Sequence, residues 1–464
     1  MIKIYTLVQL LTALNSSEPT VLELQSSILV PQSIILPAGF SLRGASNEDV
    51  FLSFNSGDGI GLTADNTVSN LTIQTNPSNR AIYALSDREN LGTLKLKDLQ
   101  VTGQVQILTR RGTAKTNLIA ENVHVFAADA RKYTEQSLKY GVTVTQGAFT
   151  VYNYNSDENS IINATLKNIS MGSAGAPVIG SGLYVGGFGD IGGKVYADEI
   201  TTGEIHSNGM IPFGQPNKIT GGVFIMNGAK VKNLTNHGKV VTYGVNDMVL
   251  DAWGEVENWT VEEAIVSYGP SAIGFVNFGI VGNFETKKRI ETFGTGARGF
   301  NQYDGTVDTA TFHSIITNGD GSIGIQVSKP VGTINILHGI TTNGGTGETL
   351  VKGQIQTLSA DGFSVKPEGE IKELNIQGGI TTKGDKVHSY IVDGGVVKTL
   401  KVDGGITAQG DDSIGVVIEN KGETPLNDMD VKSENGTAVQ VKGGTITNRD
   451  GLNAQGAKGD VKEI

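Results

Sequence analysis

Four consecutive segments superpose without a gap at a period of 25 residues, starting at Val240, Ile265, Ile290 and Ile315. They open VVTYG, IVSYG, IETFG and IITNG: an apolar residue, a Thr/Ser/Val zone, a glycine. The opening returns as IHSNG at Ile205, ITTNG at Ile340, ITTKG at Ile380 and ITAQG at Ile406. A unit this short cannot bury a hydrophobic face alone; it does so by stacking on its neighbours. Short β-rich runs closed by glycine turns therefore predict a β-solenoid.

The chain holds 63 glycines in 464 residues, about twice the usual share. They follow no collagen triplet and fall where turns are expected. Net charge is −11, from 36 Lys+Arg against 47 Asp+Glu. That balance disfavours nucleic acid and anionic membrane, which select basic surfaces, and leaves a polysaccharide as the expected polymer partner. With no cysteine, there is no disulfide framework, thiolate metal site or Cys nucleophile.

The N-terminal run MIKIYTLVQLLTAL lacks a small-residue cleavage site. Leu7, Leu10, Leu11 and Leu14 recur at helical spacing, and Thr6 with Gln9 forms a capping box. The expectation is a retained helix covering the end of the first coil. No run of 18 apolar residues suggests a membrane span. Without a recognisable signal peptide, the expected location is cytoplasmic, phage-associated or reached by non-classical export.

Ser33-Ile34-Ile35-Leu36, Pro37-Ala38-Gly39 and Leu42-Arg43-Gly44 read as strand, turn, strand. Ile34, Leu36, Pro37, Gly39, Leu42 and Gly44 match an I-x-L-P-x-G-x-x-L-x-G pattern. The stretch resembles the opening coil of the pectin-lyase-like superfamily of right-handed parallel β-helices. That resemblance implies the fold and carries no catalytic residue. The predicted class is all-β: a single-stranded right-handed parallel β-helix of ~25-residue coils. Residues 1–18 form the capping helix, 19–204 irregular coils with projecting loops, and 205–464 regular coils, all in one continuous domain. Loops are expected from Ala127 to Gln146 and from Met210 to Asn217. Expanded coils are expected from Ile340 to Ile380 and from Ile406 to Ile446.

Strand alternation assigns faces. Leu250, Phe275, Phe300 and Ile325 should point inward, as should Met248, Ile273 and Ile323. Tyr243, Tyr268 and Phe293 should form one outward ladder. A second should be Trp253, Phe278 and Tyr303, with Asp251 and Asn301 exposed beside it. Arg298 occupies the position of Met248, Ile273 and Ile323. Either the backbone kinks after Gly296, or Arg298 reaches a carboxylate at a loop.

Candidate chemistry is sparse. Asp411-Asp412 looks like the aspartate pair of polygalacturonase-like glycosidases, but the Asn-Thr-Asp and Gly-His-Gly partner motifs are absent. The repeats TNGDGSIG and TKGDKVHS put Asp411 at a recurrent turn. Asp247 and Asp251, four residues apart on a strand, would be about 13 Å apart, beyond glycosidase spacing. Asp251, Arg298 and Asp247 remain the catalytic candidates. The six histidines form no H-x-H or H-x₃-H metal cluster, so no metal is expected, nor any cofactor; His313 and His338 should simply stack. Trp253, Phe278, Tyr303, Asn301, Asp251 and Asn208 are the ligand-binding candidates, forming an aromatic platform for flat sugar faces. The expected function is glycan binding, with processing left open. The alternative is a structural, self-associating solenoid of a fibre, adhesin or phage tail, and a homo-oligomer is compatible with either.

Overall fold

The structure, a computed structural model, describes residues 1–215, 217–351 and 354–464. Two compact units divide the chain: Met1–Met210 with Thr220–Gly238, and Ile211–Ile219 with Lys239–Ile464. Each is built of stacked parallel strands, so the fold is a parallel β-helix with one helix, Leu7–Leu14. Thr6 Oγ1 accepts the Gln9 N–H at 3.3 Å, and Gln9 Oε1 accepts the Thr6 N–H at 3.2 Å. The capping box is thus formed. Leu10 and Ala13 are the buried residues of the helix, whereas Leu11 is 41% exposed.

In the first unit, long strands Asn90–Thr102, Lys115–Ala127 and Ile161–Met171 pair in parallel. A second parallel set includes Arg80–Ala84, Gln104–Thr109, Gly147–Asn153 and Ser181–Gly186. We call this set the wall strands. The loop expected after Ala127 contains an antiparallel hairpin, Ser137–Lys139 with Val142–Val144. The charge-poor run near Gly182 is a fully buried wall strand. A Cβ on Gly182 would lie 2.5 Å from the Gly222 carbonyl oxygen, so glycine is required where two coils approach closely.

Each regular coil of the second unit has three strands. In one coil they are Ile265–Ser267, Ile273–Asn277 and Ile280–Thr286. Opening strands pair in register: Val240 with Ile265, Ile265 with Ile290, Ile290 with Ile315, and Ile315 with Ile340. These positions are the sequence repeat itself. Ile340 next pairs with Ile380, because the intervening expansion leaves the coil as a hairpin, Thr346–Val351 with Gln354–Ser359. The expansion expected from Ile406 to Ile446 does not occur. Ile406 pairs with Val431, and Ile446 belongs to a different strand set, pairing with Thr424. The next opening strand, DVKSEN, lacks the Thr-x-Gly ending, which hid it.

Leu250, Phe275, Phe300 and Ile325 stack in register and are fully buried. Phe275 lies 3.8 Å from Phe284 and Phe300 5.1 Å from Phe312, ring to ring, so the core is partly aromatic. Outside, Tyr243, Tyr268 and Phe293 stack at 5.5 and 5.1 Å, tilted by 14° and 11°. Tyr268 is 50% and Phe293 41% exposed, as expected of an outward ladder.

Candidate functional site

The wall strands of the second unit are Asp247–Ala252, Ile273–Asn277, Arg298–Gln302 and Ile323–Val327. Each is entered through a turn containing a left-handed residue: Asn246, Ser271, Gly296 and Gly321, with φ of 57°, 55°, 67° and 68°. A Cβ on Gly274, Gly299 or Gly324 would lie 2.4, 2.3 or 2.7 Å from Cγ2 of Ile290, Ile315 or Ile340. Those isoleucines are core residues, so the three glycines face inward. Phe275, Phe300 and Ile325, the next residues, face inward too. Two successive inward positions break the alternation and put Ile273, Arg298 and Ile323 on the outer side. The expected inward placement of this column, shared by Met248 in register, is corrected for these three. The anomaly at Arg298 is resolved by the kink, not by a carboxylate.

Aligned next along the outer face are Asp251, Val276, Asn301 and Gln326. Beyond them stand Trp253, Phe278 and Tyr303. Trp253 meets Phe278 edge to face at 5.7 Å, and Phe278 meets Tyr303 at 4.8 Å and 33°. The ladder exists, but the open platform does not. Trp253 is 4% exposed, Asp251 and Asn301 are fully buried, and Phe278 and Tyr303 are half-buried.

Alternation shows which side a residue takes and is silent about what the insertions lay over it. Here two inserted segments dock at the turns leading into these strands. Thr349 of the hairpin donates to the Gly296 carbonyl at 3.1 Å, and its oxygen lies 3.3 Å from Ser271 Oγ. A Cβ on Gly296 would lie 2.0 Å from Thr349 Oγ1, so the hairpin seats only on glycine there. Gln215, in the Ile211–Ile219 segment, accepts from Asn246 Nδ2 at 3.2 Å.

The enclosed polar groups are poorly served. Among the described residues, neither carboxyl oxygen of Asp251, neither amide atom of Asn301, nor Nε of Arg298 has a hydrogen-bond partner. Burial pushes the Asp251 carboxyl well above the usual carboxylate range. The Trp253 indole alongside opposes that shift, though not in hydrogen-bonding geometry. Burial likewise pulls the Arg298 guanidinium below its ordinary value, and Tyr303 nearby acts the other way. Burial thus favours the neutral form of the Asp251 carboxyl, while an arginine keeps its charge.

The other candidates have local roles. Asp247 is buried and accepts the Gly244 N–H at 2.6 Å, closing its own turn. It is not a free base for Asp251. Asn208 lies in the first unit, where its side-chain oxygen accepts the Met210 N–H at 2.9 Å. Asp385 accepts the Asp411 N–H at 2.7 Å, and Asp412 pairs with Lys458. That places Asp411 in a turn ladder. His313 and His338 stack at 4.3 Å.

Sequence reasoning left Arg298 between a kink and a loop carboxylate, and missed the hairpin that docks on Gly296. The signal for both was present: Gly299 recurs as Gly274 and Gly324, and the hairpin is the expanded coil. No family model matches this sequence, and no curated protein or solved structure matches it either.

Proposed function

We infer that the outer wall face of the second unit binds a carbohydrate, with Asp251 and Asn301 meeting hydroxyls beside the Trp253–Phe278–Tyr303 ladder. The supporting observation is the set of buried, unpartnered polar atoms on Asp251 and Asn301. Each such group costs about 1–3 kcal/mol, against a total stability on the order of 10 kcal/mol. A guest rich in hydroxyls both donates and accepts, which suits a neutral carboxyl and an amide equally. Stacked aromatic rings next to a few polar groups are the usual composition of a small-molecule site.

Binding is favoured over hydrolysis. Hydrolysis needs a second carboxylate roughly 5–9.5 Å from the first. Asp247, about 13 Å along the strand, is committed to its turn.

A structural role has its own support in the Tyr243–Tyr268–Phe293 stack. Its rings lie face to face, so the middle ring offers only edges to solvent. Such a ladder stiffens successive coils and is not a sugar platform.

The test is an oligosaccharide array probed with the wild-type protein and with Trp253→Ala, with circular dichroism as the folding control. The expected result is binding by the wild type and at least a tenfold loss in the folded variant. No binding by the wild type across neutral and acidic glycans would leave the structural role as the reading.

A further inference from the structure

We propose that the guest of this face carries an anionic group (a carboxylate, sulfate ester or phosphate) that pairs with Arg298. The inference takes its location from the carbohydrate reading but not its chemistry, and each can fail alone.

Arg298 is the odd member of its column. Ile273 and Ile323 stand on either side in register, and Met248 lies beyond Ile273. An isoleucine would fill the place without cost, so the guanidinium is not there for packing. It is 6% exposed. Among the described residues it takes part in no ion pair, and its Nε has no hydrogen-bond partner. Among the described residues, the side chain that acts on its charge is Tyr303.

The nearest acid on the same face does not neutralise it. Asp251 lies two coils away, about 10 Å at the usual strand spacing, and burial raises its carboxyl pKa, favouring the neutral form. The face therefore holds one uncompensated positive charge in a chain of net charge −11. A buried charge with no partner is among the most expensive features a fold can carry.

An anionic group on the guest removes that cost, and no neutral hydroxyl does. Asn301 stands on the same strand and the same outer face, and its Nδ2 is a further donor. Arginine recognises planar or tetrahedral oxyanions through its forked N–H groups, which explains why this residue stands where isoleucine is the column's habit.

The experiment uses the intact chain, with inorganic sulfate and phosphate as probes and chloride at equal ionic strength as control. Thermal unfolding is followed for wild type, Arg298→Ile and Arg298→Lys. Wild type is expected to gain about 1–3 °C with saturating oxyanion over chloride, the size of a modest binding linkage in a chain this long. Arg298→Ile, which restores the column residue, should melt higher than wild type without added anion and show no oxyanion shift. Arg298→Lys should keep part of the shift. An equal shift in Arg298→Ile, or a lower melting point for that variant in the absence of anion, overturns the proposal. So does a glycan array on which neutral and acidic oligosaccharides bind wild type and Arg298→Ile alike, an outcome that leaves the carbohydrate reading intact. Oxyanion binding that needs Arg298, with no glycan bound at all, removes the carbohydrate reading and keeps the anion site.

Discussion

The two units each carry an antiparallel hairpin inserted beside their wall strands, and they treat enclosed polar groups differently. In the first unit Tyr83, Gln106, Thr150 and Tyr184 share one wall position in four successive coils. Tyr184 Oη lies 2.7 Å from Ser137 Oγ of the hairpin. Gln146 Nε2 donates to the Glu135 carbonyl at 2.7 Å, and Gln146 Oε1 accepts from Gln104 at 3.1 Å and from Gln106 at 2.8 Å. Arg80 pairs with Asp58 and lies 4.3 Å over the Tyr83 ring. On the outer wall face of the second unit, Asp251 and Asn301 have no side-chain hydrogen-bond partner among the described residues. One hairpin joins a hydrogen-bond network in which Gln104 Oε1 is the buried atom left over; the other docks at the turns beside two residues whose four polar side-chain atoms are all left over. Buried polar groups in a fold are ordinarily paired, so the denser cluster asks for an explanation.

The largest expected effect comes from breaking the better-paired network of the first unit. Gln146→Ala removes an acceptor of two buried glutamines and the donor to Glu135, stranding Gln106 Nε2 and the Glu135 carbonyl, while Gln104 Nε2 keeps the Gly147 carbonyl. A loss of about 3 kcal/mol or more is expected in denaturant unfolding of the first unit. A loss under about 1 kcal/mol would show that the first hairpin closes nothing, and the contrast would collapse.

The opposite sign is expected where the network is open. Val276 occupies the Asn301 position one coil earlier, so Asn301→Val removes two stranded atoms and keeps the shape. Stabilisation of about 1–2 kcal/mol is expected, with weaker binding of any glycan that the wild type retains. Destabilisation would mean that Asn301 already has a partner in solution, and the second face would then resemble the first.

The architecture was legible because repetition is a local signal. Ile265, Ile290 and Ile315 could be aligned by eye, and the pairing of those strands follows. The inward phenylalanines and the outward Tyr243 ladder came from the same alternation. The site was legible only in its members. Trp253, Phe278 and Tyr303 form a ladder as expected, yet their burial depends on segments that return from far along the chain. Thr349 meets Ser271 across 78 residues, and no periodicity encodes that contact. Arg298 illustrates the second blind spot. A strict two-residue alternation put it inside, and only the close approach of Gly299 to Ile315 shows that the alternation slips.

The smallest effect separates the two hairpins by pH. The first is held by tyrosine, serine and glutamine hydrogen bonds and by the Arg110–Glu135 pair, with no histidine among them. The second is held at its base by Asp361, whose Oδ1 accepts from Ser359 Oγ at 2.7 Å and from the His388 N–H at 2.9 Å, with His388 Nδ1 at 3.0 Å. Burial disfavours the imidazolium, but the Asp361 bond and charge outweigh it, with Glu419 assisting and Lys366 opposing, so the His388 pKa is raised. A raised histidine pKa stabilises the fold fully below the unfolded value near 6.5, and the contribution fades as pH climbs through the folded value. Amide exchange in Gln354–Ser359 should therefore quicken between pH 6 and pH 8 beyond the intrinsic rate, by the equivalent of about 1 kcal/mol. Protection in Ser137–Lys139 should not change over that range. His388→Gln keeps a side-chain donor for Asp361 and should flatten the pH dependence of the second hairpin. If both hairpins loosen together, or if His388→Gln leaves the second one's pH dependence unchanged, the base is not latched by this pair.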